Sequence, residues 1–386
     1  MKSVLCLNKI AAIGTDKLDK TEYTVGTDVQ NPDAIMVRSA AMHDMTFGPE
    51  LQAIARAGAG VNNIPVDRCS KEGIVVFNTP GANANGVKEL AVCALMLASR
   101  DVVGGIKWAA TLEGTEGVAK AVEAGKSKFA GCELMGKTLG VIGLGAIGGL
   151  VANIAVRLGM KVVGCDPYLS VEAAWNINHN VVKAASYDEV FKVADYVSLH
   201  VPSTPNTKGM INATTLAGMK DGVRIINLAR ADLVNAADLK EGLLSGKVAS
   251  YVTDFPTEET VGVPGIVAIP HLGASTEESE DNCAVMAAVQ LDDFLRNGNI
   301  KNSVNYPNVS MARSGDKRLC VFHANIPNML SQVTSVLAET GVNIENMINK
   351  SKGDNAYTIV DVTGDVANTV IERLTAVDGI VKVRVI

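Results

Sequence analysis

Residues 137–166, KTLGVIGLGAIGGLVANIAVRLGMKVVGCD, decide the fold of this chain. An apolar run over 138–142 leads into a glycine-rich turn. A helical pattern covers 146–158, and a second apolar run ends at Asp166. This order is typical of a strand–turn–helix–strand unit whose first turn carries the G-x-G-x-x-G motif. The sequence therefore predicts a doubly wound α/β domain that binds a dinucleotide.

Each residue of the motif has a physical role in this interpretation. Gly143 permits a tight turn, Gly145 lets the backbone approach a pyrophosphate, and Gly148 lets the helix and strand pack closely. The helix begins at Ala146 and Ile147, where unpaired N–H groups face the phosphates. The alternative, a glycine-rich turn that binds nothing, is disfavoured because strand, helix and acid all stand at the expected spacing.

Asp166 ends the second apolar run and predicts which dinucleotide is bound. A carboxylate at this point accepts hydrogen bonds from the adenosine ribose hydroxyls and repels a 2′-phosphate. The next residues, Pro167 and Tyr168, supply no arginine that could pair with that phosphate. We therefore expect NAD as the cofactor.

Composition limits the other classes of function. A length of 386 residues indicates two or three domains, and a net charge of −6 without a basic cluster argues against nucleic acid or anionic membranes as partners. The longest apolar stretch, 90–98, is too short to span a bilayer. Seven scattered cysteines, never spaced C-x-x-C, predict reduced thiols in a cytoplasmic protein and no metal site.

Two earlier segments are candidate substrate contacts. The apolar strand AIMVRS (34–39) delivers Arg38 and Ser39 at its end, where ligands of open α/β sheets bind. A solvated surface arginine remains an alternative there. The segment RAGAGVNNI (56–64) contains Gly60, and its amides could meet a small anionic substrate. An ordinary strand exit is equally compatible with its composition.

Four later apolar runs (194–201, 223–228, 249–252 and 265–269) each end near a polar residue. Arg230, an acid within 254–259 and His271 follow three of them. An arginine can pair with a carboxylate, a histidine can take a hydroxyl proton as hydride leaves, and a carboxylate can support the imidazolium. These groups suit oxidation of a 2-hydroxy acid, although a histidine after a proline is often only structural.

The last seventy residues have a different order of elements. Apolar and helical patterns predict strand, helix, strand, strand, helix and strand, which is the ferredoxin-like order βαββαβ. We expect a discontinuous substrate-binding domain (1–84 and 284–306), a nucleotide-binding domain (85–283), a linker (307–316) and a small C-terminal domain (317–386).

Several motifs resemble the D-isomer-specific 2-hydroxyacid dehydrogenases: GLGAIG with Asp166, HVPSTPNT (200–207), INLAR (226–230) and PHLGAST (270–276). The resemblance implies a Rossmann-type nucleotide-binding domain and a flavodoxin-like substrate domain. RSAAM (38–42), RAGAGVNNI and a tail that resembles an ACT domain are similar to members that oxidise D-3-phosphoglycerate with NAD. That reaction gives 3-phosphohydroxypyruvate and begins the phosphorylated route to serine.

The resemblance also assigns roles to single residues. The catalytic set is Arg230 for the substrate carboxylate, His271 as acid/base and Glu259 as its partner. The substrate-binding set is Arg38, Ser39, Gly60 and Lys126. The cofactor-binding set is Gly143, Gly145, Ala146, Ile147, Gly148, Asp166, His200, Leu228, Ala229, Arg230, Asp254, His271 and Gly273.

Two positions depart from a simple match to the family. An ungapped alignment from Arg230 places the strand-end acid on Asp254 and the catalytic glutamate on Glu259, whereas the string FPTE would select Glu258 at the cost of a gap. A second arginine often found after the R-S pair is Ala40 here, so the phosphate site is expected to be weaker or differently built.

The tail resembles amino-acid-binding ACT domains, which implies His323, Asn325 and Asn343 as effector contacts and L-serine as the effector. A homodimer or homotetramer is expected. One rival is another enzyme on the same scaffold, such as a D-lactate dehydrogenase or hydroxypyruvate reductase. The other is a nucleotide-sensing binding protein of the corepressor type.

Overall fold

The computed structural model describes residues 1–364 and 366–386. They form two compact units, one made of Met1–Asn83 with Glu277–Ile386 and the other of Ala84–Thr276. Within the described ranges, none of the helices combines the length and the apolar character that a membrane crossing needs.

The first segment of the first unit forms a parallel sheet with the strand order β2-β1-β3-β4-β5. This is the flavodoxin-like order that the sequence implied. β3 and β4 are buried almost throughout, as expected for strands covered on both faces. The elements are β1 (Lys2–Cys6), α1 (Ala12–Thr15), β2 (Tyr23–Gly26), β3 (Ala34–Val37), β4 (Ala53–Arg56), α2 (Val66–Lys71) and β5 (Val75–Phe77).

The second unit is built on a parallel sheet with the strand order β12-β11-β10-β9-β6-β7-β8. It extends the Rossmann order by one strand, which confirms the predicted doubly wound domain. The elements are α3 (Ala84–Ser99), α4 (Val102–Ala110), α5 (Val118–Gly125), β6 (Thr138–Ile142), α6 (Ala146–Arg157), β7 (Lys161–Cys165), α7 (Val171–Trp175), β8 (Val181–Lys183), α8 (Tyr187–Val193), β9 (Tyr196–Leu199), α9 (Ala213–Gly218), β10 (Val223–Asn227), α10 (Ala236–Leu244), β11 (Val248–Thr253) and β12 (Ile266–Ala268).

Small residues bring the helices of this unit close to one another. Ala94 and Ala98 of α3 share a buried cluster with Ala152 and Ala155 of α6. Because parallel strands end at one edge of the sheet, every β-strand of this unit delivers its following loop to the same side.

The last segment returns to the first unit through a long helix and then forms an antiparallel sheet with the order β14-β15-β13-β16. This confirms the ferredoxin-like prediction. The elements are α11 (Glu277–Asn297), β13 (Lys317–Ala324), α12 (Met329–Glu339), β14 (Asn343–Lys352), β15 (Asn355–Thr363), α13 (Asn368–Thr375) and β16 (Ile380–Val385).

The C-terminal sheet is apolar on both faces. Alternate residues such as Leu319 and Val321 pack with α12 and α13. The residues between them, Cys320 and Phe322, join the core formed by α11 and the first sheet, where the Phe322 and Phe294 ring centroids lie 6.4 Å apart. The sheet is therefore packed into the first unit.

The antiparallel sheet is the C-terminal domain expected at 317–386, and it packs against the rest of the first unit. The segment expected as a linker, 307–316, takes part in that packing. Val309 and Met311 are buried in the same core as Phe322, so the segment before β13 is part of the packing. The sequence alternation hid this because both faces of β13 carry apolar side chains. The whole of α11 also belongs to the first unit, which places the return at Glu277 instead of residue 284.

Candidate active site

The glycine loop between β6 and α6 has the geometry that the motif predicted. Gly143 has φ +88°, and a Cβ there would lie 2.6 Å from the His200 carbonyl oxygen. A Cβ on Gly148 would clash with the Gly143 carbonyl oxygen. At Gly145 a Cβ would meet open space, so the backbone there is exposed to an approaching ligand. Ala146, Ile147 and Gly148 begin α6, and their N–H groups precede the first helical hydrogen bond, which Gly149 donates to the Gly145 carbonyl at 2.9 Å.

Asp166 connects this loop to the end of β7. One carboxylate oxygen accepts the Leu144 N–H at 2.9 Å, and the other accepts the Tyr168 N–H at 2.9 Å. Each oxygen keeps a second lone pair. The acid is therefore held at the mouth of the loop with acceptor capacity left for ribose hydroxyls.

His200 lies on the other side of the loop, after β9. Its Nε2 lies 2.8 Å from the Ser198 hydroxyl, and burial lowers the pKa of His200 to about 4. The ring is therefore neutral near pH 7. The His200 backbone carbonyl lies close against Gly143.

A buried asparagine organises the turn that carries Arg230. Asn227 is fully buried, its Oδ1 accepts the N–H groups of Ala229 and Arg230, and its Nδ2 donates to the Arg230 carbonyl at 2.8 Å. Asn227 was not selected from the sequence, although a polar residue at the last position of a buried strand was a usable signal. In this turn Leu228 is buried and the Arg230 side chain is exposed.

Phe255 brings Arg230 and His271 together. The Arg230 guanidinium carbon lies 5.8 Å from the Phe255 ring centroid, and the His271 ring centroid lies 4.5 Å from it at an interplanar angle of 44°. Both polar groups are exposed. The predicted cation and the predicted acid/base thus flank one aromatic ring, which the sequence analysis had not singled out.

Asp254, the residue before this ring, is 1% exposed, and its Oδ1 has no partner in the described part of the chain. Burial raises the pKa of Asp254, and the opposing effects of His271, of the Gly273 N–H and of Arg230 are smaller. A buried oxygen without a donor costs free energy unless a ligand supplies one. Asp254 is therefore a candidate contact for a polar group of the cofactor.

The two candidate glutamates differ in position. Both are exposed, but Glu259 lines a cavity of about 230 Å³ together with Phe255 and Ala231, whereas Glu258 lies outside that lining. Both glutamates lie in a turn in which the Thr260 hydroxyl accepts the Thr257 N–H at 2.9 Å. Within the described residues, neither glutamate forms an ion pair or a hydrogen bond with His271.

The substrate candidates Arg38 and Ser39 lie at the carboxyl end of β3 in the first unit. Asn8 Oδ1 accepts the N–H groups of Arg38, Ser39 and Ala40 at 2.9–3.2 Å, which fixes the turn. The Arg38 guanidinium pairs with Glu280 of α11 at 2.6 Å, with both side chains about 40% exposed.

Arg56 is a second cation at this edge of the sheet, and it was not among the substrate contacts predicted from the sequence. It ends β4, and its Nε donates to the Arg38 carbonyl at 3.1 Å. A Cβ on Gly58, where φ is +152°, would overlap the Arg56 guanidinium. Arg56 therefore places a positive charge beside Arg38, where the family arginine missing at Ala40 would otherwise be expected to contribute.

The remaining substrate candidates lie in different units. Gly60 lies in the loop that follows β4 in the first unit. The carbonyl of its neighbour Ala59 accepts a hydrogen bond from Asn78 Nδ2 at 2.7 Å. Lys126 belongs to the second unit, in a 3-10 turn (Lys126–Phe129), where its exposed ammonium pairs with Glu123.

The structure separates the three effector candidates by environment. His323 is 3% exposed, and both ring nitrogens are engaged, with the Ala324 carbonyl at 2.8 Å and the Thr358 hydroxyl at 2.9 Å. Asn325 and Asn343 are exposed. Asn325 Nδ2 donates to the Gly353 carbonyl in the turn between β14 and β15, and Asn343 Nδ2 donates to Glu345 of its own strand. His323 thus has no ring nitrogen left for a ligand in this arrangement.

The second unit matches a known family over most of its length. Residues 106–273 match the model of the D-isomer specific 2-hydroxyacid dehydrogenase, NAD binding domain. These residues belong to that family. The NAD-binding assignment made from the glycine loop and Asp166 is thereby confirmed at the level of the domain.

Individual relatives extend the similarity beyond the matched domain. The chain is 34% identical over 329 residues to D-3-phosphoglycerate dehydrogenase of Synechocystis, which covers 80% of this chain and 57% of that protein. It is 33% identical over 329 residues to the enzyme of the same name from Methanocaldococcus jannaschii, covering 83% of this chain and 60% of that protein. The chain therefore spans little more than half the length of these curated relatives.

A solved structure gives the same result. The crystal structure of NAD+-bound 3-phosphoglycerate dehydrogenase from Entamoeba histolytica is 27% identical, with a TM-score of 0.62. It covers 79% of this chain and 98% of its own length. The predicted resemblance to this group of dehydrogenases is confirmed.

Proposed function

We propose that this chain catalyses the NAD-dependent oxidation of D-3-phosphoglycerate to 3-phosphohydroxypyruvate, the first step of the phosphorylated route to serine. The observation that carries the proposal is that Arg230 and His271 both lie close to the Phe255 ring. They lie at the carboxyl edge of a sheet whose domain belongs to an NAD-binding dehydrogenase family. The names of the two relatives from Synechocystis and Methanocaldococcus jannaschii support the choice of substrate.

The residues fit the cofactor. The open backbone at Gly145 and the first amides of α6 suit a pyrophosphate, Asp166 suits ribose hydroxyls, and the unpartnered Asp254 Oδ1 suits an amide donor. When bound, NAD supplies the acceptor for the hydride that leaves C2 of the hydroxy acid.

The chain's own residues handle the substrate and the proton. Arg230 pairs with the carboxylate, and His271 takes the proton of the C2 hydroxyl as the C2–H bond breaks. Glu259 supports the imidazolium form of His271 when substrate is bound. The positive charges of Arg38, Arg56 and Lys126 favour a phosphorylated substrate over D-lactate or glycerate.

The experiment is NAD reduction followed at 340 nm with 3-phosphoglycerate, D-lactate and D-glycerate. His271→Ala should lower kcat by about 10²–10⁴-fold, the usual contribution of a positioned acid/base. NAD affinity should be nearly unchanged, and His43→Ala, an exposed histidine of the other unit, should behave as the unchanged chain. If wild type prefers D-lactate, the rival dehydrogenase is correct, and NAD binding without turnover of any of the three favours the corepressor-type rival.

We further propose that L-serine binds to the C-terminal βαββαβ sheet and lowers turnover. The exposed Asn325 and Asn343 amides support this, because an amide offers both a donor and an acceptor to an amino acid. Asn325→Ala or Asn343→Ala should abolish the response and spare basal activity. Calorimetry on the intact chain without L-serine binding would show that the sheet has a purely structural role.

The active form is proposed to be a homodimer or homotetramer in the cytoplasm. α4 has no buried residue, and its Ile106 side chain is 65% exposed, which supports a contact with a second copy. The seven cysteines are free thiols, which suits a reducing compartment. Ile106→Glu should lower the mass measured by light scattering, and an unchanged mass would exclude α4 from the interface.

A further inference from the structure

A second polar cleft lies within the first unit, between the C-terminal sheet and the segment that precedes it. Its volume is about 640 Å³. No carboxylate belongs to its described lining, which consists of Asn78, Asn302, Ser303, Val304, Pro307, Asn308, Lys350, Ser351 and Lys352. Two ammonium groups, three amides and two hydroxyls therefore surround it.

A network of amides around this cleft holds Asn302 in a left-handed backbone conformation. Asn302 has φ +59°, in the left-handed region that non-glycine residues rarely adopt. Its N–H donates to Asn308 Oδ1 at 2.9 Å, its side chain donates to Gln290 Oε1 at 2.6 Å, and its carbonyl accepts the Asn78 N–H at 3.2 Å. These three hydrogen bonds fix the position of the Asn302 backbone at the cleft.

The cleft also has donors to spare. Neither the Lys350 ammonium nor Asn308 Nδ2 donates to an acceptor within the described residues, and Lys352 Nζ uses one of its three hydrogens on the Ser303 carbonyl at 2.8 Å. Burial lowers the pKa of Lys352, which a bound negative charge would offset. A lining with surplus donors and no carboxylate suits an anion.

Asn78 joins the cleft to the candidate substrate loop. Its Nδ2 donates to the Ala59 carbonyl at 2.7 Å, next to Gly60, and its carbonyl accepts from Gln290 Nε2 at 3.0 Å. We propose that this cleft binds a small multivalent anion bearing phosphate or carboxylate groups, and that its occupancy restrains the loop at 58–60 through Asn78.

The test is an amide NMR titration of the full chain with inorganic phosphate, and separately with malonate, at constant ionic strength. Saturable shifts are expected at 302–308 and 350–352, with coupled shifts at Ala59 and Asn78. Saturation by phosphate alone or by malonate alone would support the site and identify the anionic group. Lys350→Gln combined with Lys352→Gln should raise the dissociation constant about 10-fold or more, since charge-assisted contacts are lost.

Two control variants distinguish the cleft from other sources of binding. Lys317→Gln removes an exposed charge from the same sheet and should leave the dissociation constant unchanged. Arg38→Gln alters the proposed substrate site and should also leave these shifts in place, so a failure of the proposed function would not affect the result. The proposal is overturned if neither anion saturates, if Lys317→Gln is as harmful as the double variant, or if Arg38→Gln abolishes the shifts.

Discussion

At the scale of single residues, the motif predictions succeeded where chemistry and backbone geometry coincide. Gly143 adopts the left-handed conformation and Gly148 the close approach that the G-x-G-x-x-G spacing requires. Asn227, Phe255 and Arg56 were missed because their roles depend on contacts between segments that the sequence does not place side by side. A buried amide that ties down the Arg230 turn is recognisable only when its partners are known.

Asp166 accepts a backbone hydrogen bond and is also predicted to repel a 2′-phosphate. Substitution by asparagine separates these two roles, whereas substitution by alanine removes both. Asp166→Asn keeps an acceptor for the Leu144 N–H while it removes the negative charge. We expect the ratio of catalytic efficiencies for NAD over NADP to fall about 10-fold or more, because repulsion of the 2′-phosphate is lost. Steady-state kinetics with both cofactors measure this ratio. Asp188→Asn, an exposed acid of α8, should not change it, and equal wild-type efficiencies would refute the prediction.

The two adjacent glutamates form a matched pair for the acid/base hypothesis. Glu259→Gln should lower kcat by about 10–10²-fold and shift the pH–rate profile for oxidation toward lower pH. The carboxylate is proposed to favour the imidazolium form of His271, and without it the free base that accepts the proton forms in more acidic solution. Glu258→Gln should leave both unchanged, since Glu258 lies outside the cavity that Phe255 lines. The opposite outcome would show that the ungapped alignment is wrong.

At the scale of elements, a buried ion pair fastens the C-terminal sheet to the end of α11. Arg318 of β13 donates to both carboxylate oxygens of Asp361 at 2.6 and 2.8 Å, and both side chains are fully buried. Arg318 also donates to the Asn297 carbonyl at 2.7 Å, and the Ser314 N–H completes the shell of Asp361 at 2.7 Å. Four segments therefore meet at one charge pair.

The ion pair between Arg318 and Asp361 makes the free energy of unfolding sensitive to acid. Burial alone would raise the pKa of Asp361, but bonds from Arg318 and Ser314 outweigh it and the pKa is lowered. The stabilisation is therefore present above the pKa of the unfolded carboxyl, about 4, and is lost as pH falls through the lower folded-state value.

Asp361→Asn should lower the free energy of unfolding at pH 7 by about 3–5 kcal/mol, because Arg318 stays buried without its counter-charge. It should also flatten the loss of stability below pH 4. Urea unfolding at several pH values measures both effects. Asp378→Asn, an exposed acid near β16, is the control, and equal slopes for the Asp361 variant and wild type would contradict the assignment.

At the scale of the whole molecule, the sequence predicted the type of each sheet but not which parts of the chain share a core. The order of apolar runs and helices determined the Rossmann-type and ferredoxin-like topologies, because connections in such folds follow few rules. The packing of the last sheet was not predictable in this way. Cys320 and Phe322 alternate with Leu319 and Val321, and an apolar strand does not reveal what covers its second face.

That shared core leads to a prediction about truncation. A chain that ends at residue 316 loses Phe322 and Tyr357, which are fully buried against the α11 side of the first unit. If the C-terminal sheet were an independent domain, residues 1–83 would keep their protection from hydrogen exchange. We expect instead faster exchange in β4 and β5, stronger binding of an apolar dye and a lower melting temperature.

A point variant tests the same coupling without removing chain. Phe322→Ala should cost about 3–5 kcal/mol and speed exchange at Phe77, because one cluster holds both rings together with Phe294. Val197→Ala in β9 opens a cavity in the core of the other unit and should leave exchange at Phe77 unchanged. Normal protection of residues 1–83 in both the truncated chain and Phe322→Ala would mean that the C-terminal sheet folds on its own. Loss of protection in both would show that the C-terminal sheet is part of the scaffold that holds Arg38 and Arg56.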